Sequence, residues 1–418
     1  MKILLASIGT RGDMEPFLAI GEILLHRGHD VVCLFPEQFR KLAEESGFRF
    51  ASLGTEFLEM LESEDGKAAL GGNSSGFGKF LAYLRLARNY SKMNKELIRR
   101  QSVIIGQEQP DRIVSNGKAL YSLMWTVDHP GQNINISPVP YLHYVPGHSH
   151  LAFHRNFGAF LNQQTFRIAN FGLLSTTMKA VKWLGLEKQI SRKEIKAVIA
   201  GNRTIYTISP SLFPRPATWP DHLQVLGYHE RDKTVNWQPA ADLEAFLDRH
   251  EKLLLLTFGS MTNPRPEEKT AILLDILERN KIPALINTAS GGLVVPKKYN
   301  RDLFYFVDQI PYDWVLPKVY AAVHHGGSGT THMGLRHACA TMIIPHIIDQ
   351  FVWNRMVAKL GAGPLGVPID KVSTSALEPK LIELFNNPAY KKNAERLGRQ
   401  MQEEDFTEEL YRTIVAPV

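Results

Sequence analysis

Only two cysteines occur in the chain, Cys33 and Cys339, and each lies inside an apolar stretch. A disulfide framework and a cysteine-held metal are therefore both disfavoured. No apolar run approaches the roughly 20 residues that a bilayer span needs. The segment from Ile3 to Gly9 is too short, and too soon followed by charge, to be a secretory signal, so a cytoplasmic location is expected. Lysine and arginine never gather into a dense block, which leaves no basis for nucleic-acid binding. No G-x-G-x-x-G follows the first strand, which disfavours a dinucleotide-dependent dehydrogenase. Gly78-Lys79-Phe80 closes a Gly/Ser-rich loop (71–78) without the leading glycine or the Ser/Thr of a P-loop.

What is present is the composition of a globular chain. Hydrophobic residues make up 44% and charged residues 22% of 418 positions, which argues against disorder; the length exceeds what one hydrophobic core usually supports. A net charge of +6 suits anionic small ligands or peripheral contact with an anionic membrane surface. Strands and helices alternate in two series. The first has a strand over Lys2 to Ser7, the loop Ile8 to Asp13, and a helix from about Glu15 to Arg27, with Pro16 in its first turn and Gly28 at its end. Strand 31–35, helix 37–46, strand 50–53 and strand 111–115 continue it, with an amphipathic helix carrying Leu81, Leu84, Leu86, Met93, Leu97 and Ile98 in between. The second series has strands at 253–258, 284–287, 303–307, 320–323 and 341–344 and a helix at 267–280. Such alternation builds parallel sheets. The proline- and tryptophan-rich stretch from Phe213 to Pro239 reads as the linker. The expected architecture is α/β: two Rossmann-like domains, 1–226 and 227–398, facing each other across a cleft, with a helix in 399–418 packing back on the first.

The stretch Val323 to Thr331 reads as a buried strand running into a glycine-rich turn and a helix. Gly326, Gly327 and Gly329 allow close approach of a ligand, and the helix start near Thr330 turns free N–H groups and a positive dipole toward it. His324 and His325 stand at the strand end, where open α/β sheets place their ligands. Asp349 and Gln350 follow the strand at 341–344; together they offer the acceptors and donors that sugar hydroxyls need, although Asp349 also suits a helix cap. Between Pro138 and Phe171 aromatics gather with His143, His148, His150 and His154. Metal ligation, an aromatic-lined pocket for an apolar substrate and plain packing all remain open there, with no carboxylate or cysteine at ligand spacing.

Five segments together resemble a known family: Gly9-Thr10-Arg11-Gly12-Asp13-Met14-Glu15-Pro16, Phe258-Gly259-Ser260-Met261, Ile310 to Pro317, His324 to Thr331, and Pro345 to Gln350. Their order is that of the nucleotide-sugar glycosyltransferases of the two-Rossmann (B-type) fold, in particular the branch with sterol and macrolide or glycopeptide-antibiotic glucosyltransferases. The resemblance implies inverting transfer of a hexose, glucose from UDP-glucose, to a hydroxyl of a lipophilic small molecule. The UDP-sugar would be a co-substrate, with no metal or other cofactor required, and the protein a monomer or weak dimer. His324 would contact the diphosphate, with Gly326, Gly327, Ser328, Gly329 and Thr330 around it, Ser260 approaching from a facing loop, and Arg11 and Gly12 also reaching the donor. Val307 would bind uracil through its backbone, Phe306 or Trp314 would wall the base, and Asp349 and Gln350 would hold the hexose. His143, Tyr144 and His148 would line the acceptor site. Asp13 would be the base that takes the acceptor's proton, helix capping being its other reading. Two positions depart from the pattern: His332 stands where many relatives carry a ribose-binding glutamate, and His346-Ile347-Ile348 replaces an aromatic-aromatic-glycine run. A nucleotide-sugar epimerase and a non-catalytic glycosyltransferase partner are the rival readings.

Overall fold

The computed structural model describes residues 1–56, 93–153, 155–231, 237–261, 263 and 265–417. The Gly/Ser-rich loop, the part of the amphipathic helix that bears Leu81, Leu84 and Leu86, and His154 lie outside them. The chain divides into two compact units, Met1–Arg231 with Asp405–Val418, and Asp232–Glu404.

The first unit is built on seven parallel strands: β1 (Lys2–Ala6), β2 (Asp30–Phe35), β3 (Arg49–Ser52), β4 (Arg112–Ser115), β5 (Asn133–Ser137), β6 (Arg203–Tyr206) and β7 (Leu223–Val225). Their order is β3-β2-β1-β4-β5-β6-β7. Ile3 and Leu5 of β1 join Phe17, Phe35 and Ile134 on one face, while Leu4 and Ala6 join Val32, Leu34 and Trp125 on the other. Burial on both faces is why β1 reads as an unbroken apolar run. The last helix, Thr407–Val415, places Leu410 and Ile414 in the first of these clusters. The stretch 213–239 is more than a linker: it contains β7, and Phe213 and Trp219 within it are buried. The boundary between the units, after Arg231, falls inside it.

The second unit has five parallel strands, β8 (Leu254–Thr257), β9 (Ala284–Asn287), β10 (Phe304–Val307), β11 (Ala321–His324) and β12 (Ala340–Ile343), in the order β10-β9-β8-β11-β12. Leu254, Leu256, Phe258, Ile286, Val323 and Met342 share one core with the helices Pro266–Arg279 and Thr374–Asn386.

Strand order reverses between β1 and β4 in the first sheet and between β8 and β11 in the second. Loops leaving the carboxyl ends of strands on either side of such a switch point diverge and open a crevice, which is where α/β sheets bind ligands. The loops in question are 7–10 and 116–119 in the first unit, and 258–261 and 325–327 in the second.

Candidate active site

In the second unit β11 delivers His324 to the switch point with no exposed surface. Its Nδ1 accepts the Gly326 amide at 3.0 Å, which puts the ring proton on Nε2. Nε2 is buried and has no partner among the described residues, an uncommon state for a polar atom and a sign of a ligand's place. Burial drives the ring's pKa down to about 3, so His324 is a neutral hydrogen-bond donor rather than a cation.

Gly326 has φ +94, and a Cβ there would come within 2.5 Å of Ile343. A Cβ on Gly327 would stand 2.5 Å from His325 Nε2. The glycines thus make room for the turn itself, besides giving a ligand access to its backbone. Gly327 is the N-cap of the helix Ser328–Arg336, and among the described residues no side chain caps that end. The first helical bond is Thr331 N to Gly327 O at 2.9 Å, so the amides of Ser328, Gly329 and Thr330 precede the repeating pattern and face outward at the dipole's positive end. β8 lies beside β11 with Thr257 opposite His324, and Gly259 packs against the His325 ring. The exposed Ser260 therefore sits next to the turn.

Gln350 is buried, and its carboxamide oxygen is already engaged by the amides of His346 at 2.7 Å and Ile347 at 3.1 Å. Only its N–H2 end is left for a sugar, whereas the sequence offered both. Asp349 is half-buried in the first turn of the helix Ile348–Lys359. His346, where the family pattern has an aromatic, joins this loop to Asn263 through Nε2 at 2.5 Å. His332 is fully buried, its Nδ1 donating to the Ser328 carbonyl at 2.7 Å and its ring edge-on to Trp353. A side chain so committed packs the helix and does not present itself to a ribose. Val307's carbonyl accepts the Thr288 amide at 2.9 Å, which leaves less of its backbone to a base than the sequence suggested. Phe306 packs against Tyr299, and Trp314 meets Trp237.

In the first unit the helix after β1 spans Arg11–His26 and so begins four residues before the expected Glu15. Thr10 is its N-cap and Asp13 closes a capping box, while Pro16 falls inside the helix, where it has no N–H to give to the carbonyl four residues before it. Asp13 Oδ2 accepts from the Thr10 amide at 2.8 Å, and Oδ1 accepts from Lys118 Nζ at 2.7 Å. Its carboxylate lies over Gly9, whose φ of +148 and lack of a Cβ leave room for it. Arg11 is paired with Glu15 at 2.9 Å and is otherwise exposed, as is Gly12.

The aromatic segment resolves largely into packing. His143 meets the buried Tyr206 hydroxyl with both its backbone amide (3.1 Å) and Nδ1 (2.6 Å), and His148 stacks on Tyr141 at 4.3 Å. Tyr144 is 39% exposed and gives its carbonyl to Trp219. Among the described residues no group of three or more His, Cys, Asp or Glu side chains is placed to hold a metal ion.

Neutral buried imidazoles set a pH dependence. Desolvation holds His324 near 3 and His143, His150 and His332 near 4, all below the unfolded value of about 6.5. The unfolded chain then binds more protons than the folded one below that pH, so stability is full above about 6.5 and falls as pH drops toward 4. For the fully buried His324 and His332 the loss reaches about 1.4 kcal/mol per pH unit each. Melting curves at pH 7.5 and 5.5 are expected to differ by several degrees; equal midpoints would contradict neutral burial.

Residues 3–107 match the glycosyltransferase family 28 N-terminal domain, and residues 302–416 match the erythromycin biosynthesis protein CIII-like C-terminal domain. Over 97% of its length the chain is 28% identical to sterol 3-beta-glucosyltransferase UGT80A2 of Arabidopsis thaliana, covering 64% of that protein. It is 25% identical to the sterol 3-beta-glucosyltransferase of Saccharomyces cerevisiae (strain YJM789), over 96% of this chain and 34% of the yeast protein. The chain thus spans less than two thirds of either relative's length. Among solved structures, the calicheamicin glycosyltransferase CalG4 aligns with a TM-score of 0.68 at 19% identity, over 100% of this chain and 99% of that one. VinC, a glycosyltransferase solved in complex with dTDP, aligns with a TM-score of 0.65 at 15% identity, over 99% of each chain. The fold is that of the B-type glycosyltransferases, with two Rossmann-like units. Within that fold the chain resembles glycosyltransferase family 28 at its N-terminal end and the erythromycin biosynthesis protein CIII-like domain at its C-terminal end, and is similar along nearly its whole length to sterol 3-beta-glucosyltransferases.

Proposed function

We propose that the chain transfers glucose from UDP-glucose to a hydroxyl group of a lipophilic acceptor with inversion, a 3β-hydroxysterol being the first acceptor class to try. The observation that carries this reading is the anion turn, where the buried, unpartnered Nε2 of His324 lies beside an uncapped helix start. Asp13 takes the proton from the acceptor hydroxyl as that oxygen attacks the anomeric carbon. The charge building on the departing UDP is met by the amides of Ser328, Gly329 and Thr330 and by the neutral N–H of His324. With these donors in place a metal is not required.

Incubation of the purified chain with UDP-glucose and dispersed cholesterol, read by mass spectrometry, is expected to give UDP and a steryl glucoside, with or without EDTA. Release of neither product with a sterol, a macrolide or a phenol would sink the reading, and isomerised UDP-sugar without acceptor would favour an epimerase. In the same assay Asp349→Ala is expected to lower UDP-glucose turnover far more than it weakens UDP binding. An equal fall in both would mean that Asp349 does not read the hexose.

Peripheral membrane contact belongs to the same proposal. On the helix Ala159–Trp183, Phe160, Leu161, Ile168 and Phe171 are 72%, 53%, 58% and 62% exposed. Their spacing puts them on one stripe. No Asp or Glu occurs between Asp128 and Glu187, and Arg192 lies over the Phe171 ring. An apolar stripe with a basic rim suits an anionic bilayer holding the acceptor. Sedimentation with phosphatidylserine-containing vesicles is expected to fall severalfold in a Phe160→Ser, Phe171→Ser double variant; unchanged sedimentation would remove the contact from the proposal.

A further inference from the structure

Lys118 figures in no expectation drawn from the sequence, yet the structure sets its ammonium on the residue assigned as the base. Nζ lies 2.7 Å from Asp13 Oδ1 across 105 positions of chain. Oδ2 of the same carboxylate accepts the Thr10 amide at 2.8 Å and the Thr10 hydroxyl at 3.3 Å. Gripped at both oxygens, the carboxyl plane is fixed.

The loop that carries Lys118 is also fastened to the loop that carries Asp13. The Lys118 amide donates to Asn116 Oδ1 at 3.1 Å. Asn116 is buried, and its Nδ2 donates to Ser7 Oγ and the Ile8 carbonyl, each at 2.9 Å. The Ser7 hydroxyl in turn donates to the Asp13 carbonyl at 2.9 Å. These are the two loops that flank the switch point between β1 and β4. As a stabilising contact the ion pair is weak, because the lysine side chain is 52% and the aspartate 24% exposed. Its construction serves the geometry of the carboxylate more than the fold.

We infer that Lys118 is a positioning residue for the transfer reaction: its ammonium holds Asp13 so that the remaining lone pair of Oδ1 is the site that receives the acceptor's proton. The inference rests on the transferase reading above. In the step, the acceptor O–H proton passes to Oδ1, the bond from that oxygen to the anomeric carbon forms, and the bond to the phosphate oxygen breaks with its electron pair leaving on UDP. Lys118 keeps its own proton throughout.

The test uses UDP-glucose and detergent-dispersed cholesterol with the parent chain and four variants of it. Lys118→Met is expected to lower kcat about fivefold through misplacement of the base, with KM for UDP-glucose and the UDP Kd within about twofold of the parent. Lys118→Arg is expected to restore at least half of the loss. In an Asp13→Asn background Lys118→Met is expected to cost nothing further, because it acts through the carboxylate. A parental kcat in Lys118→Met, or losses that multiply in the double variant, would overturn the inference while leaving the transferase reading intact. A second arm needs no acceptor. In ¹⁵N spectra the Lys118 ammonium resonance is expected to stand apart from the other lysines and to rejoin them in Asp13→Asn; a resonance indifferent to that change overturns the pairing whatever the activity.

Discussion

Asp13→Asn is expected to slow glucosyl transfer to a hydroxyl acceptor by about a hundredfold or more, while UDP affinity stays near parental because the turn proposed to bind the diphosphate belongs to the other unit. The structure sharpens this test, since Asp13 holds a capping position as well as the proposed catalytic one. Oδ2 caps the helix through Thr10, and an asparagine carbonyl oxygen can occupy that place and accept the same amide. The second oxygen becomes an NH2 facing the Lys118 ammonium, so the exposed ion pair is lost, a change of about 0–1 kcal/mol. Folding should therefore survive while the proton-accepting oxygen disappears. The loss should be smaller for a thiol acceptor, whose lower pKa makes it less dependent on a base. An Asp13→Asn chain that glucosylates alcohols at the parental rate would leave Asp13 only its cap.

The sheets were legible because parallel strands buried on both faces read as apolar runs, as Ala284–Asn287 and Leu254–Thr257 do. The strand-to-helix turn at Gly326 and Gly327 was legible because its glycines are needed twice, by the left-handed φ of Gly326 and by the His325 ring against Gly327. Where polar residues are buried, pattern fails. β5 alternates Asn133, Asn135 and Ser137, and its buried Asn133 is satisfied by the Ser115 hydroxyl at 2.8 Å. The helix Ala159–Trp183 turns Asn162 and Thr165 inward and Phe160 and Phe171 outward, so its periodicity points the wrong way. The inward pair holds the preceding segment: Asn162 Oδ1 accepts the Phe157 amide at 2.9 Å and Thr165 Oγ1 the His150 amide at 2.8 Å. That is why the histidine-rich stretch looked like a pocket lining and is largely packing. Lys118 was beyond sequence reasoning, for nothing local ties it to a carboxylate 105 positions away. Gln350 matched the family pattern and His332 departed from it, and in both the hydrogen-bonding groups are partly or wholly used within the chain.

The second large effect is expected at His324, where the choice of substitution matters. Alanine would delete two things together, the acceptor for the Gly326 amide and the N–H at Nε2, and would leave a cavity in a residue with no exposed surface. Asparagine separates them: its side-chain oxygen reaches about as far as Nδ1 and can still accept Gly326 N–H, but nothing replaces Nε2. His324→Asn is thus expected to remain folded and to weaken UDP binding tenfold or more, about 1.4 kcal/mol or more, the order of a lost hydrogen bond to a charged group. Because the imidazole is already neutral, held near 3 by burial, the parental chain's share of UDP affinity from this ring should not change between pH 6 and 8. Calorimetry with UDP on both forms across that range checks the two halves together. A parental Kd in folded His324→Asn would remove the ring from the donor site, and a His324-dependent affinity that grows as pH falls through 6.5 would make it a cation instead.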